Sequence, residues 1–269
     1  MRKLQHFDLC WIIFRIDNNI FGMKILVAIA TLFVIGSTLG YVIELLFRRF
    51  VSQKRWVNPG FMVGPYIPLY GFGTIILYGL SNIPLEQFGL PNWANILITL
   101  VAIGIALTLI ELVAGLIFIK GLHMKLWDYS DRWGNFKGLI CPLFSLIWFA
   151  AGVAYYFLLD PILVRALLFI AQYPVYVFFT GVVIGMILVD FCYSLHLATM
   201  IKKVSEQATI KFDEFKAVVA EKVGSDKKKK PFYALHFLSK ENIKEYLKLY
   251  QEKQKEFTTK IKNKIKHKK

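Results

Sequence analysis

Five runs of apolar residues divide the first 200 positions, at about Ile25–Phe47, Tyr66–Ile83, Asn95–Ile119, Leu139–Leu159 and Pro174–Met200. Each approaches the roughly 20 residues that cross a bilayer at about 1.5 Å per helical residue. The second is the least regular, because Pro65, Pro68, Gly71 and Gly73 crowd its entrance. Pro161–Tyr173 is apolar but short and stops at Pro174. It reads as an interfacial or re-entrant helix leading into the last span, with a sixth crossing as the alternative. Beyond Ile201 the pattern changes period. Ile201, Val204, Ala208, Phe212, Phe215 and Val219 recur every three or four residues, the stripe of an amphipathic helix. Gly224–Pro231 breaks that stripe, and a second follows at Ile243, Leu247, Tyr250, Phe257 and Ile261, with Ser239 as its N-cap. The fold class expected is all-α: a polytopic transmembrane bundle of about five spans with a cytoplasmic amphipathic helical hairpin. The expected domains are an interfacial segment over 1–23, a transmembrane domain over 24–200 and a basic tail over 201–269.

Composition agrees. The 269 residues are 56% hydrophobic with a mean hydropathy of +0.50, above what a soluble domain carries. Charge then adds a direction. Residues 201–269 hold 20 of the 33 Lys and Arg and 9 of the 18 acids, so the tail carries +11 of the net +15. Arg48, Arg49, Lys54 and Arg55 follow the first span, and Lys120, Lys125, Arg132 and Lys137 follow the third. Pro84–Ala94 has no Lys or Arg, and Asp160–Tyr173 has only Arg165. The positive-inside rule puts the rich loops and the tail in the cytoplasm. The N-terminus then lies outside, although Arg2, Lys3 and Arg15 argue mildly against it. Phe7–Phe21 is expected along the outer surface with Trp11 and Phe14 in the interface. Asp8, Arg15 and Asp17 interrupt any h-region, so no cleavable signal peptide is expected.

The tail has two open readings: a lysine-rich surface touching anionic lipid, or a docking element for a partner. No RNA-recognition signature is present, and no specific nucleic acid is expected. Cys10, Cys141 and Cys192 lie far apart with no C-x-x-C pair, which suggests neither a disulfide framework nor a zinc site.

Three acids interrupt the spans. Counted from the cytoplasmic ends, Glu44 lies about 5 Å deep, Glu111 about 12 Å and Asp190 about 15 Å. A carboxylate at such depth costs roughly 2.5–3.5 kcal/mol and should face protein or water. Arg48, four residues on, can satisfy Glu44. Glu111 and Asp190 have no local basic partner, which leaves two readings: a pathway or ion-binding group, or a protonated carboxyl bonded between helices. His196 does not share the face of Asp190.

The stretch Asn58–Gly73 joins Gly60 and Gly64, which permit tight turns, to Pro65 and Pro68, which cannot donate to a regular ladder. Broken backbone at membrane depth belongs against protein or a water-filled cavity. Asn58 and Tyr70 therefore join the acids as candidates for a pathway or an ion- or substrate-binding site; an irregular start to an ordinary span is the alternative. On the same side, Leu126–Cys141 places two acids, an amide and four aromatics between two spans. Asp128 and Asp131 lack the spacing of a calcium loop, so no metal is expected. Trp127, Asp128, Tyr129, Ser130 and Asn135 read as a gate or docking loop: aromatics for the interface and polar groups for capping turns. No G-x-S-x-G, H-E-x-x-H or G-x-x-x-x-G-K-[ST] motif occurs, so no catalytic residue and no cofactor is expected, and any ATP hydrolysis would belong to a partner chain.

Together these clusters resemble the ABC-transporter type IV permease family of bacterial multi-span proteins. The resemblance rests on Gly40 and Glu44, then Asn58, Gly60, Phe61, Gly64, Pro65, Pro68, Tyr70, Gly71 and Gly73. It continues through Glu111, then Trp127, Asp128, Tyr129, Ser130, Asn135, Gly138, Ile140 and Cys141. Pro59 stands where the family has Arg, and Leu126 where it has a first Trp. The likeness covers roughly residues 35–200. It implies an inner-membrane, multi-pass protein and, beyond that, a permease subunit with a polar cavity in its cytoplasmic half and an ATPase as partner. A membrane scaffold or regulator that docks partners through its loop and tail is the alternative.

Overall fold

The computed structural model describes residues 18–52, 54, 56–204, 210–224 and 240–266. The expectations for residues 7–17, for the break at 225–231, for Ala208 and for a cap at Ser239 fall outside them, as do the side chains of Val204, Phe257 and Ile261, while residues 18–21 belong to the first helix. The α-helices are α1 (Asn18–Phe47), α2 (Pro68–Ser81), α3 (Asn92–Leu122), α4 (Pro142–Ala154), α5 (Asp160–Gln172), α6 (Val175–Val204), α7 (Phe212–Gly224) and α8 (Lys240–Lys266). Two two-residue strands, β1 (Met124–Lys125) and β2 (Ile210–Lys211), pair in parallel.

Four stretches among the described residues are long and apolar enough to cross a membrane: Lys24–Ser52, Asn92–Leu122, Pro142–Gln172 and Val175–Lys203. The second expected span, Tyr66–Ile83, is instead the 14-residue helix α2. At 1.5 Å per residue it reaches about 21 Å, short of a hydrocarbon core of about 30 Å. Pro68 starts it and Asn82, whose Nδ2 donates to Tyr78 O, closes it. Pro161–Tyr173 also departs from expectation. It is no separate interfacial helix but α5, continuous with α4 through a single π turn at Tyr155–Leu159. Pro161 has no N–H for the ladder, and a widened turn just before it absorbs that loss without ending the helix. Asp160 at the joint is met by Asn82 Nδ2 and Tyr155 OH, each at 3.4 Å.

The chain forms two compact units. The first draws on α1 up to Gly40, on Ile67–Leu107 and on Leu146–Leu188. Leu32, Leu77, Ile103, Tyr155 and Leu163 make its buried cluster. Here α1 and α2 run antiparallel with their backbones close. A Cβ on Gly71 would lie 2.2 Å from Ser37 Oγ and 2.8 Å from Phe33 O, and one on Gly36 would lie 2.9 Å from Tyr70 O. Small residues let membrane helices approach this way, where lipid gives no hydrophobic drive for association. Along this unit's part of α6, Phe178, Phe179 and Leu188 are exposed, as lipid-facing positions are.

The second unit draws on Tyr41–Tyr66, on Thr108–Ser145 and on the chain from Val189 onward. The stripe read from the tail is a packed face: Ile201, Phe212, Phe215 and Val219 are buried, and so are Ile243, Leu247 and Tyr250 on α8. The β1–β2 pair, with Ile210 N donating to His123 O at 2.8 Å, ties that tail to the segment after α3.

Candidate functional site

Asn58–Ile67 has no regular structure, yet Asn58, Phe61, Met62 and Val63 are buried. Buried backbone must find partners, and three side chains supply them. The Asp190 carboxylate accepts from Val63 N at 3.2 Å and Gly64 N at 2.7 Å, while Ser194 Oγ donates to it at 3.2 Å. Asn58 Nδ2 donates to Val63 O at 3.0 Å and Met62 O at 3.4 Å. Lys216 Nζ, from α7, donates to Asn58 O and Gly60 O at 3.1 Å each. A Cβ at position 64 would meet Asp190 Oδ2 at 2.8 Å, so glycine there is what lets the carboxylate reach two consecutive N–H groups.

Glu44 pairs with Arg48 at 3.0 Å, the i,i+4 partner its spacing offers. Arg48 also holds Asp213 Oδ2 at 2.9 Å, and Asp213 Oδ1 lies 3.2 Å from Lys216 Nζ. Acid and base thus alternate from the end of α1 into α7. Burial would raise the Asp213 carboxyl, but Lys216 and Arg48 outweigh it and hold the group below the usual carboxylate range. Burial draws the Lys216 ammonium below its ordinary value against the opposing pull of Asp213. The local sequence does not signal the link that joins the two pairs, because Arg48 and Asp213 are 165 residues apart.

Glu111, 3% exposed, accepts from Tyr129 OH at 2.9 Å. Burial, and then Glu111, push that phenol well above its ordinary value, so Tyr129 stays protonated and donates. Its ring stacks on Phe144 with centroids 4.2 Å apart.

The loop from Trp127 is held by its own polar groups. Trp127 Nε1 donates to Leu139 O, Asn135 Nδ2 to the carbonyls of Ser130 and Arg132, and Gly138 N to Asn135 Oδ1. Asp128 accepts from Ser130 N and Oγ and pairs with Lys125 at 3.3 Å and Lys211 at 3.0 Å. Burial raises its carboxyl, but the hydrogen bonds from Ser130 and Lys211 and the Lys211 charge together carry it far below the usual range. Asp128 and Asn135 are therefore the fasteners of this loop. Trp133, by contrast, is 87% exposed. Gly138 sits at φ +69°, and a Cβ there would lie 2.5 Å from Ser130 Oγ and 2.8 Å from Asp128 Oδ1. G138A is expected to lower stability by about 1–3 kcal/mol, read as a fall in melting temperature of the detergent-purified chain.

Glu44, Asn58, Glu111, Asp190 and the loop residues Trp127, Asp128, Tyr129, Ser130 and Asn135 all fall in the second unit. Tyr70 does not: it belongs to the first, where it packs on Gly40 and its ring centroid lies 5.8 Å from that of Trp148. Among the described residues no group of three or more His, Cys, Asp or Glu could hold a metal ion. The sequence reading missed Lys125, Lys211, Asp213 and Lys216 as site residues; the i,i+3 spacings of Lys125 with Asp128 and of Asp213 with Lys216 could have pointed to pairs.

No curated protein and no solved structure matches the chain. One family model, described as "Putative ABC-transporter type IV", matches residues 31–195, a span that holds Glu44, the Asn58–Gly73 entrance, Glu111, the loop and Asp190, and ends before the tail. The match covers more than half of the residues, and the chain belongs to this family of membrane proteins.

Proposed function

We propose that the chain is a permease-like subunit of an ABC-type transporter, multi-pass in a bacterial inner membrane, with the C-terminus in the cytoplasm. Family membership supports the transporter reading, and the Lys- and Arg-rich segments after α1 and α3 support the orientation. In this reading residues 24–200 form the transmembrane domain and 201–269 a cytoplasmic attachment, whose remaining lysines meet anionic lipid. Glu111 and Asp190 bind a cation or proton, or orient a polar substrate, in a cavity of the cytoplasmic half walled also by Glu44 and Asn58. The Trp127–Asn135 loop gates that cavity or docks the ATPase. The observation that carries this most directly is Asp190 bound to the Val63 and Gly64 N–H groups: an intramembrane acid on broken backbone of a family motif.

A second reading, a scaffold or regulator, is favoured by how thoroughly the polar groups engage one another. Asp128 is spent on Lys211 and Asp213 on Arg48, which is glue more than catalytic or transport machinery. One preparation separates the two. The tagged chain is purified from native membranes, and ATP hydrolysis is measured on the complex with E111Q and with D190N. The permease reading expects ATPase activity that co-purifies and changes at least about 10-fold in one of the variants, the scale of losing one charge-assisted contact. A complex with no ATPase activity, or with activity indifferent to both variants, removes it in favour of the scaffold.

A further inference from the structure

Lys216 is an unusual lysine: its side chain is 7% exposed, and each of its three N–H donors has an oxygen. Two belong to main-chain carbonyls, Asn58 O and Gly60 O at 3.1 Å, and the third to Asp213 Oδ1 at 3.2 Å. The Phe212 ring centroid lies 5.0 Å from Nζ, within cation–π range. A primary ammonium has three donors and no acceptor, so this acceptor-only cradle fits its chemistry donor for donor. The geometry is built into the turn. Gly60 at φ +76° swings its carbonyl into line, and Asn58 Nδ2 is committed to the carbonyls of Met62 and Val63. That commitment fixes the side-chain amide with Asn58 Oδ1 buried and without a hydrogen-bond partner, a further acceptor on the same turn. The carbonyls lie inside the family-matched region, whereas the ammonium comes from α7, outside it.

We propose that the Asn58–Gly60 turn is a binding site for a primary ammonium group, that Lys216 is its tethered occupant, and that removing this side chain opens the site to a small free primary amine. The proposal does not depend on transport. Quaternary ammonium has no donor for the carbonyls, and a planar guanidinium does not present three donors in a cone.

The test is thermal unfolding of the detergent-purified full chain with n-propylammonium chloride, which replaces the atoms that K216A removes. K216A is expected to melt about 5–10 °C below the wild type, as a buried charge network that loses one member does. n-Propylammonium is expected to restore at least half of that loss saturably and to leave the wild type unchanged. Tetramethylammonium and potassium chlorides at equal concentration restore nothing. A folded K216A indifferent to n-propylammonium, or one equally protected by tetramethylammonium or potassium, overturns the proposal. K216M, whose side chain fills the path of the lysine stem without its charge, covers the case in which K216A does not fold. With K125C and K211C at the paired strand positions as a cross-link reporter in a C10S/C192S background, K216M must melt lower and cross-link less than the same reporter chain with Lys216 intact. Wild-type melting and cross-linking in K216M would mean that the ammonium seats nothing, and the proposal would fall.

Discussion

D213A is expected to destabilise the second unit by about 2–4 kcal/mol, more than any other single tail substitution. Removing one member of a buried ion pair costs about 3–5 kcal/mol because the remaining charge stays desolvated; the one-third exposure of Asp213 trims that figure. Here two cations would be left: Arg48 and Lys216 are 12% and 7% exposed, and Asp213 bridges them. The double variant D213A/K216M should then lose less than the sum of its parts, since removing Lys216 relieves the charge that D213A strands. Thermal melting of the four-member cycle decides it, and strict additivity would show that the bridge carries no coupling. The same bridge has a pH signature. A carboxyl held below its unfolded value contributes stability that is present above the unfolded value, about 3.9, and is lost as pH falls through the lower folded one. The D213N chain should therefore lose less on acidification below pH 4 than the wild type does.

G71A is expected to cost about 3 kcal/mol or to prevent stable insertion, while G79A on the same helix costs nothing. The added methyl at position 71 would meet Ser37 Oγ at 2.2 Å and the Phe33 carbonyl oxygen at 2.8 Å. A hydroxyl can rotate away, but a helix backbone cannot, so α1 and α2 must separate. That puts the change at the upper end of overpacking costs. Gly79 has nothing within 4 Å, and alanine there gains the better helix propensity, up to about 1 kcal/mol. Melting temperature and detergent-extracted yield of the two variants, side by side, test the contrast; equal behaviour would mean that α1 and α2 are not in close contact.

What could be read in advance followed the range of the physics. Apolar runs announce helices because burial in lipid is a local property, and α1, α3, α4 and α6 stand close to where the runs stand. The Glu44–Arg48 pair was visible for the same reason, four residues being one helical turn. The length of α2 was not, because Tyr66 and Ile67 belong to the apolar run but precede the helix, and Asn82 ends it by bonding to the Tyr78 carbonyl. Nor was the union of α4 and α5, which depends on Asn82 and Tyr155 receiving Asp160 at the π turn. Glu111 and Asp190 stood out as acids without a neighbour, but their partners are a phenol from the loop and two backbone amides from a distant turn. The apolar stripes of the tail were legible, but its charge composition describes only a surface. Only the fold reveals that Asp213 and Lys216 are used inward.

The short parallel pair between Met124–Lys125 and Ile210–Lys211 also sets a timetable for biogenesis. Its second strand is translated 86 residues after its first, Met124 against Ile210. At about 5–20 residues per second, roughly 4–17 s separate the emergence of the two. At its start only two of the four long apolar stretches have been made, and through it Arg48 and the Asn58–Gly60 carbonyls lack the aspartate and the lysine that will meet them. A chain truncated after α6 would hold all four long apolar stretches yet leave Arg48 and the Asn58–Gly60 carbonyls without their tail partners, the kind of species that quality-control proteases remove.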